Sequence, residues 1–542
     1  MNAKELRQLA DNVFTKRASL LSLWQEQAEN FYPERADFTF KRYLGDDFAA
    51  NLMTSYPVLV SRDLGDQIST MLRNTAKPWF SMVTNDARKD NDDSKRWLEW
   101  ATGLQRRAMY DPNSLFNRAT KECDRDFSTF GQGVIQVRMN RKADGILYKC
   151  HHLRDVAWME NEDGKICAIF RRWKPQARIV KQLFDKKGGS VHSSLTKMAD
   201  KEPFTEVDCL HIMIESEMFD GPDERLPWRS IYYDCKHDHE MESVAVKQKE
   251  YVIPRWQTVS GSQYSYSPAT VAALPEARLL QSMTYTLLEA GEKIVNPPMI
   301  ATEAAVRSDV SIFAGGVTWV DYEYDERLGA ALRPITQDAK GMPLSQEMMR
   351  DSRALLSQCF YLNKLTLPQR APEMTAYEVG QRVQEYIRGA MPLFEPMEAD
   401  YNGGICEETF TLLLNNNAFG PPRDIPKSLR GADIQFRFQS PLHDAIEMQK
   451  GHKFLEMKQL IAEAIALDQS VAAIPDSTVA IRDALEGIGV PMRWVRKEAE
   501  VAQMIEAQKK AQDTQALLAN MQAGADVAAK LGEAQQSLGQ TA

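Results

Sequence analysis

Between Gly261 and Asn417 two strongly helical segments flank a strand-and-loop insert, and a proline-marked loop then leads into a third long helix. Ser267-Pro268 reads as an N-cap followed by proline at the first helical position. Leu280, Met283, Leu287, Ala290 and Ile294 recur on one face, Pro275 should kink the helix or reset its start, and Asn296-Pro297-Pro298 stops it. The insert to Pro343 holds Gly315-Gly316 before the strand-like Val317 to Val320, and a second helix is expected over Leu344 to Leu362. Asn363 to Glu373 contains two prolines and reads as a short, semi-rigid loop. Thr375 and Glu378 then form a capping box with a Met374–Val379 staple, opening a helix that should reach Asn417 and bend near Pro392 and Pro396. Such an order is unlike that of a domain built around a catalytic pocket.

Upstream, the spacing of Leu6, Leu9, Val13, Leu20, Trp24, Ala28 and Phe31 predicts one amphipathic helix ended by Tyr32-Pro33. Further helices are expected over Asp47 to Arg73 and Asp93 to Tyr110, with Lys77-Pro78-Trp79-Phe80 as an aromatic anchor between them. From Phe130 to about Ile253 the period shortens toward two, which predicts a β-rich region. Asp163-Gly164 marks a hairpin there, and Lys186 to Lys201 reads as a mobile polar loop. Beyond Pro421-Pro422 a short strand over Asp433 to Phe438 precedes helices, and the alanine- and glutamine-rich end from Ala502 should fray. The fold class expected is α+β, mainly helical.

The chain has 542 residues, enough for several domains, and no apolar run near the ~20 residues that span a bilayer. Met1 to Asp11 lacks the apolar core of a secretory signal, so assembly in a cytoplasm and no membrane partner are expected. Seven scattered cysteines suit reduced, packed thiols rather than a disulfide framework. A net charge of −9 argues against a surface built to grip nucleic acid, because tight duplex binding depends on lysine and arginine displacing counterions.

The motifs of common catalysts are missing. There is no G-x-x-x-x-G-K-[ST] run to cradle phosphate, no H-E-x-x-H helix and no G-x-S-x-G elbow. Cys235, His237 and His239 would share one face of a strand, with Cys150-His151-His152 as further donors, but the spacing fits no common zinc motif. Surface hairpin residues are the better reading. The acidic pairs Asp46-Asp47, Asp92-Asp93 and Glu407-Glu408 are expected as solvated faces and caps. Neither a cofactor, a metal nor a catalytic group is expected.

Several words in fixed order carry a family likeness: Pro78-Trp79-Phe80, Asp126 to Gly133, Pro254-Arg255-Trp256, Gly261 to Tyr264 leading to Ser267-Pro268, Asn296 to Met299, and Met374 to Val379 with Arg382. Gly316-Val317, Ser440-Pro441-Leu442 and Gly489-Val490-Pro491 with Arg493 extend it. Together they resemble the portal proteins, or head-to-tail connectors, of short-tailed bacteriophages.

The resemblance implies a homo-oligomeric ring of twelve subunits at one capsid vertex of the virion, around a tunnel through which double-stranded DNA is packaged and ejected. Its regions would be a wing over 1–260, a first stem helix over 261–295, a clip over 296–343 and a second stem helix over 344–363. A tunnel loop over 364–374, a bent wing helix and strand over 375–441, and a helical crown or barrel over 442–542 would complete it. The terminase large subunit and then a tail adaptor protein would dock on the clip, with capsid and scaffolding proteins as further partners. Lys364, Gln369 and Arg370 on the tunnel loop would face the DNA. An acidic wall suits a duplex that must slide both ways. Two other readings stay open: another self-assembling virion component of tail or capsid, and a metal-dependent enzyme acting on nucleic acid.

Overall fold

In a computed structural model of the full chain, the described residues are 1–301 apart from 44, 76–77, 87–90, 186–188 and 221–225. They continue with 319, 327, 332–335, 341–365, 389, and 397–438 without 422 and 432. Beyond those come 454, 456–463, 477–487, 490, 494–496 and, in part, 500–515. They divide into two compact units: 1–79 with 105–418, and 80–104 with 419 onward.

At the centre of the first unit lies an antiparallel sheet of β4 (Val156–Glu160), β5 (Ile166–Trp173), β6 (Cys209–Glu215), β7 (Trp228–Asp234) and β8 (His239–Val246), in sequence order. Its apolar residues alternate between two covers, as the pleat requires. Ala168, Phe170, Ile212 and Ile214 pack with Leu6, Ala10 and Phe14 of α1 (Ala3–Lys16). Ile169 and Met213 turn the other way, toward Trp24 and Ala28 of α2 (Ala18–Phe31) and Tyr264. The single amphipathic helix expected over this stretch is therefore two, broken at Arg17, because its two halves serve opposite faces. Buried Arg17 fixes the break by donating to the carbonyls of Leu153 at 2.8 Å and Val156 at 2.6 Å.

The Asp163-Gly164 hairpin joins β4 and β5, with Gly164 at φ 73°. Between β5 and β6 the chain leaves the sheet as α6 (Ala177–Phe184) and α7 (Ser193–Lys201), so much of the expected mobile loop is helix. Leu195 and Ala199 supply the reason: both are buried against Val180 and Phe184. A smaller sheet orders β3 (Ile146–Cys150), β2 (Ile135–Met139) and β9 (Tyr251–Val252). The helix expected from Asp47 begins only at Tyr56, as α3 (Tyr56–Leu72), because Pro57 suits a first turn and not a helix interior. α5 (Phe116–Phe130) packs against it and ends on Gly131 at φ 77°.

In the second unit β1 (Phe80–Thr84) pairs antiparallel with β12 (Ile434–Phe438), placing Phe80 opposite Phe438. Trp97 and Trp100 of α4 (Asp92–Met109) gather on Phe419 at ring distances of 6.0 and 6.5 Å. Arg482, in the helix Ser477–Gly487, reaches Asp92 at 3.6 Å.

Candidate functional site

α8 (Leu274–Val295) and α9 (Gly341–Cys359) pack together as a stalk, with the short strands β10 (Met299–Ala301) and β11 (Leu332–Pro334) paired beyond them. At about 1.5 Å per residue α8 alone is roughly 33 Å long. Its apolar stripe turns toward α9: Met283, Leu287, Ala290 and Ile294 line a groove of about 330 Å³ with Gly341, Met342 and Ser345.

The stalk is rooted where the family-like words converge. Ser267 does not cap the helix as expected. Its hydroxyl donates to the Thr129 carbonyl at 2.6 Å, and the chain enters α8 through a π-turn, Ala269–Ala273. A proline has no N–H and crowds the carbonyl four residues back, and the wider turn just before Pro275 accommodates both defects. Gly131 must be glycine: a Cβ there would lie 2.6 Å from the Tyr266 carbonyl carbon and 2.7 Å from the Ser267 nitrogen. Its carbonyl accepts from the Trp256 N–H at 2.7 Å. The Trp256 ring stacks on Tyr361, which leaves α9 at φ 57°.

Further ties fix both helices at one level. The Gln281 side chain on α8 accepts from the Met53 and Thr54 amides at 2.8 and 2.9 Å. Two residues on, the Tyr56 hydroxyl bonds Ser357 at 2.7 Å and donates to the Arg353 carbonyl of α9 at 3.1 Å. Phe360 is fully buried against Phe31.

Sequence reasoning missed a buried ionic knot behind this root. Arg73, at the end of α3, pairs with Asp124 of α5 and donates to the Asn402 side-chain oxygen at 2.8 Å. The Tyr401 hydroxyl donates to Asp124 at 2.8 Å, and the Arg73 guanidinium lies 4.5 Å over the Tyr401 ring. Burial pushes the Asp124 carboxyl up, against the pull of Arg73. Tyr401 and Asn402 come from a second π-turn, Glu398–Gly403, directly after 366–396, the stretch holding most of the expected tunnel loop. A signal existed: Asp124 sits on the same helical face as Thr120, Cys123 and Phe127, where a charge must have a partner.

Lys364 falls in a helical turn, Leu362–Leu365, rather than in the expected loop, because the two prolines act only on residues beside them and begin at 368. Gln369, Arg370, the Thr375–Glu378 box, the Pro392 and Pro396 bend and the Val317 to Val320 strand lie outside the described residues, apart from isolated positions such as Trp319.

The histidine and cysteine groups are separate. Cys235 to Asp238 form the β7–β8 turn instead of a strand, with Asp238 at φ 53°, so the expected common face does not exist. His237 Nδ1 bonds Asp234 at 2.6 Å, His239 bonds Ser190 at 2.6 Å, His151 bonds Gln136 at 3.1 Å and His152 lies 2.6 Å from Asp37. Among the described residues no group of three or more histidine, cysteine or acidic side chains is placed to hold a metal. Of the acidic pairs, Asp46 and Asp47 are exposed as expected, whereas burial pushes the half-buried Glu408 up to about 7.

A family profile described as "Bacteriophage head to tail connecting protein" matches residues 3–495. The chain belongs to that family. It is 24% identical over 544 residues to the "Probable portal protein" of Bordetella phage BPP-1, covering 96% of this chain and 94% of that one. Against the "Portal protein" of Salmonella phage epsilon15 it is 22% identical over 458 residues, 81% and 79% of the two chains. A chain from the virion of a native gene transfer agent particle overlaps 84% of this chain and 98% of its own at 9% identity, with a TM-score of 0.34, too low to define a shared fold. The connector is a portal-type protein of the phage virion, standing where head meets tail. No helix among its described residues is long and apolar enough to cross a membrane.

Proposed function

We propose that about twelve copies of this connector close into a ring whose hole passes double-stranded DNA into the head and later out of it. The observation that carries this reading is the stalk. Its root is buried and hydrogen-bonded, yet its outer half leaves Tyr285, Leu288 and Val295 of α8 and Leu344 of α9 between 55% and 86% exposed. A soluble chain seldom spends that much apolar surface on water, so a second copy is the natural cover. In this reading 268–295 and 344–362 are the stem, 296–343 is the clip that receives the terminase large subunit and afterwards a tail adaptor, and 442–542 is the crown. Lys364, Gln369 and Arg370 brush phosphate from the tunnel loop, Lys364 and Arg370 as thin positive points in a chain whose net charge is negative. Capsid and scaffolding proteins contact the wing.

The work is done by the opening and not by a reactive group, so the ring alone hydrolyses no ATP. Electron microscopy of the purified full-length chain should show rings with a central opening wide enough for a duplex. Compact monomers under associating conditions would overturn the reading. In a packaging assay, changing Lys364 and Arg370 together to alanine should alter DNA retention with rings intact. Unchanged packaging would remove both residues from the mechanism.

A further inference from the structure

We infer that the subunit contact along the stalk is a specific pairing of unlike faces: the Tyr285, Leu288, Val295 ridge of one copy packs on the Leu344, Met348, Leu355 stripe of the next. The inference rests on the ring reading and adds which faces meet and in what register.

Helix geometry separates the faces. At about 100° per residue, Tyr285, Leu288 and Val295 fall on the side of α8 roughly opposite Met283, Leu287 and Ala290, which line the groove shared with α9. The ridge therefore points away from its own α9. On α9, Leu344, Met348 and Leu355 fall within about 40° of one another, and about 100° from the centre of the buried face formed by Met349, Ser352 and Leu356. Leu288, Met348 and Leu355 are 60%, 49% and 46% exposed, so among the described residues neither face is covered by another element. The six side chains expose on the order of 600 Å² of apolar surface, about half of what a stable protein contact buries. Divided between the two faces it is about 300 Å² each, enough for a stalk contact to which the rest of each subunit adds.

Symmetry then selects the pairing. A two-fold contact would match a face with itself, whereas a closed ring joins two different faces of every copy. Rotation about the ring axis leaves height unchanged, so on stalks running along that axis, residues at one level in a subunit meet residues at the same level in its neighbour. The levels are fixed at both ends of the antiparallel pair. Ala290 and Ile294 share the groove with Gly341 and Ser345, and Thr54 and Tyr56 bridge Gln281 to Ser357. Counting about 1.5 Å per residue between those ends sets Leu288 level with Met348 and puts Val295 about one turn from Leu344.

The test is a cysteine pair in the full-length chain. Leu288→Cys with Met348→Cys, oxidised by diamide, should give a ladder of disulfide-linked species up to the closed ring on non-reducing gels. The unsubstituted chain, whose seven cysteines are mostly buried, and the Leu288→Cys with Leu355→Cys pair, off level by about 10 Å, should give at least tenfold less. Rings seen by electron microscopy without the 288–348 ladder, or with an equal ladder from the off-level pair, overturn this pairing and leave the ring standing. Absence of rings from the unsubstituted chain overturns both.

Discussion

The root and the outer half of the same stalk obey opposite rules. At the root, Ala269, Ala273, Ala277 and Leu280 are buried, and hydrogen bonds tie Ser267 to Thr129 of α5 and Gln281 to Met53 and Thr54 just before α3. A few turns further along α8, Tyr285, Leu288 and Val295 are exposed, with no element among the described residues packed over them. Both halves are equally helical, so propensity does not distinguish them. The difference lies in what each half touches: the root meets the chain itself, and the outer half leaves its apolar surface exposed, in the proposed ring for a second copy. In the proposed ring, that division would separate the part that holds the stalk from the part that joins stalks.

The comparison breaks most sharply at the ionic knot. Changing Asp124 to Asn leaves the Arg73 guanidinium buried with its charge uncompensated, which should cost about 3–5 kcal/mol. Thermal unfolding would show it as a large fall in Tm. Arg73→Met combined with Asp124→Leu should recover much of that loss, since two apolar side chains of similar volume need no partner. If the single change is silent, the knot does not anchor the π-turn Glu398–Gly403. Gly131→Ala comes next. It adds a Cβ into backbone at 2.6 Å with φ positive, so stability should fall by more than about 1 kcal/mol and the register of α8 on the unit should loosen, read as faster exchange of the Trp256 amide. Leu288→Asp belongs to the other half. Unfolding of the isolated subunit should move by no more than about 0.5 kcal/mol, while rings weaken or vanish on size-exclusion chromatography. A large stability loss instead would mean that the residue packs within its own chain.

How much of this was legible in the sequence follows the same division. The stripe Met283, Leu287, Ala290 and Ile294 faces α9, as its spacing indicates, and Asn296-Pro297-Pro298 ends the helix, because these are local rules of period and backbone chemistry. The Asp163-Gly164 hairpin and the strand before Phe438 are legible for the same reason. Non-local demands explain the misses. Arg17 breaks a continuous helical pattern because carbonyls near Leu153 claim its guanidinium. Ser267, with the right chemistry for a cap, is diverted to the Thr129 carbonyl by the close approach of Gly131. The knot joins residues more than 270 positions apart, which no window of spacing can reveal. Period alone hid the ridge as well: Tyr285, Leu288 and Val295 make α8 apolar on two sides, and only the folded chain shows which side remains bare.

The smallest expected effect tests whether the N-terminal packing beneath the root depends on charge. Asp37 is half-buried, and burial alone would push its carboxyl up. His152 at 2.6 Å and Arg154 at 2.6 Å more than offset that and hold it down to about 2. A carboxyl whose folded value lies below its unfolded value near 4 binds fewer protons when folded. Its contribution is therefore complete above about pH 4 and is lost as pH falls from there through about 2. Asp37→Asn should lower Tm modestly at pH 7, and the gap between variant and unsubstituted chain should close as the buffer is taken from pH 5 toward pH 2. A gap that stays constant over that range would show that Asp37 acts through packing with Phe38 and the segment before α3. The ionic contribution to the root would then reside in the Arg73–Asp124 pair and the less buried pairing of Asp126 with Arg35, whose two contacts are 3.0 and 2.8 Å.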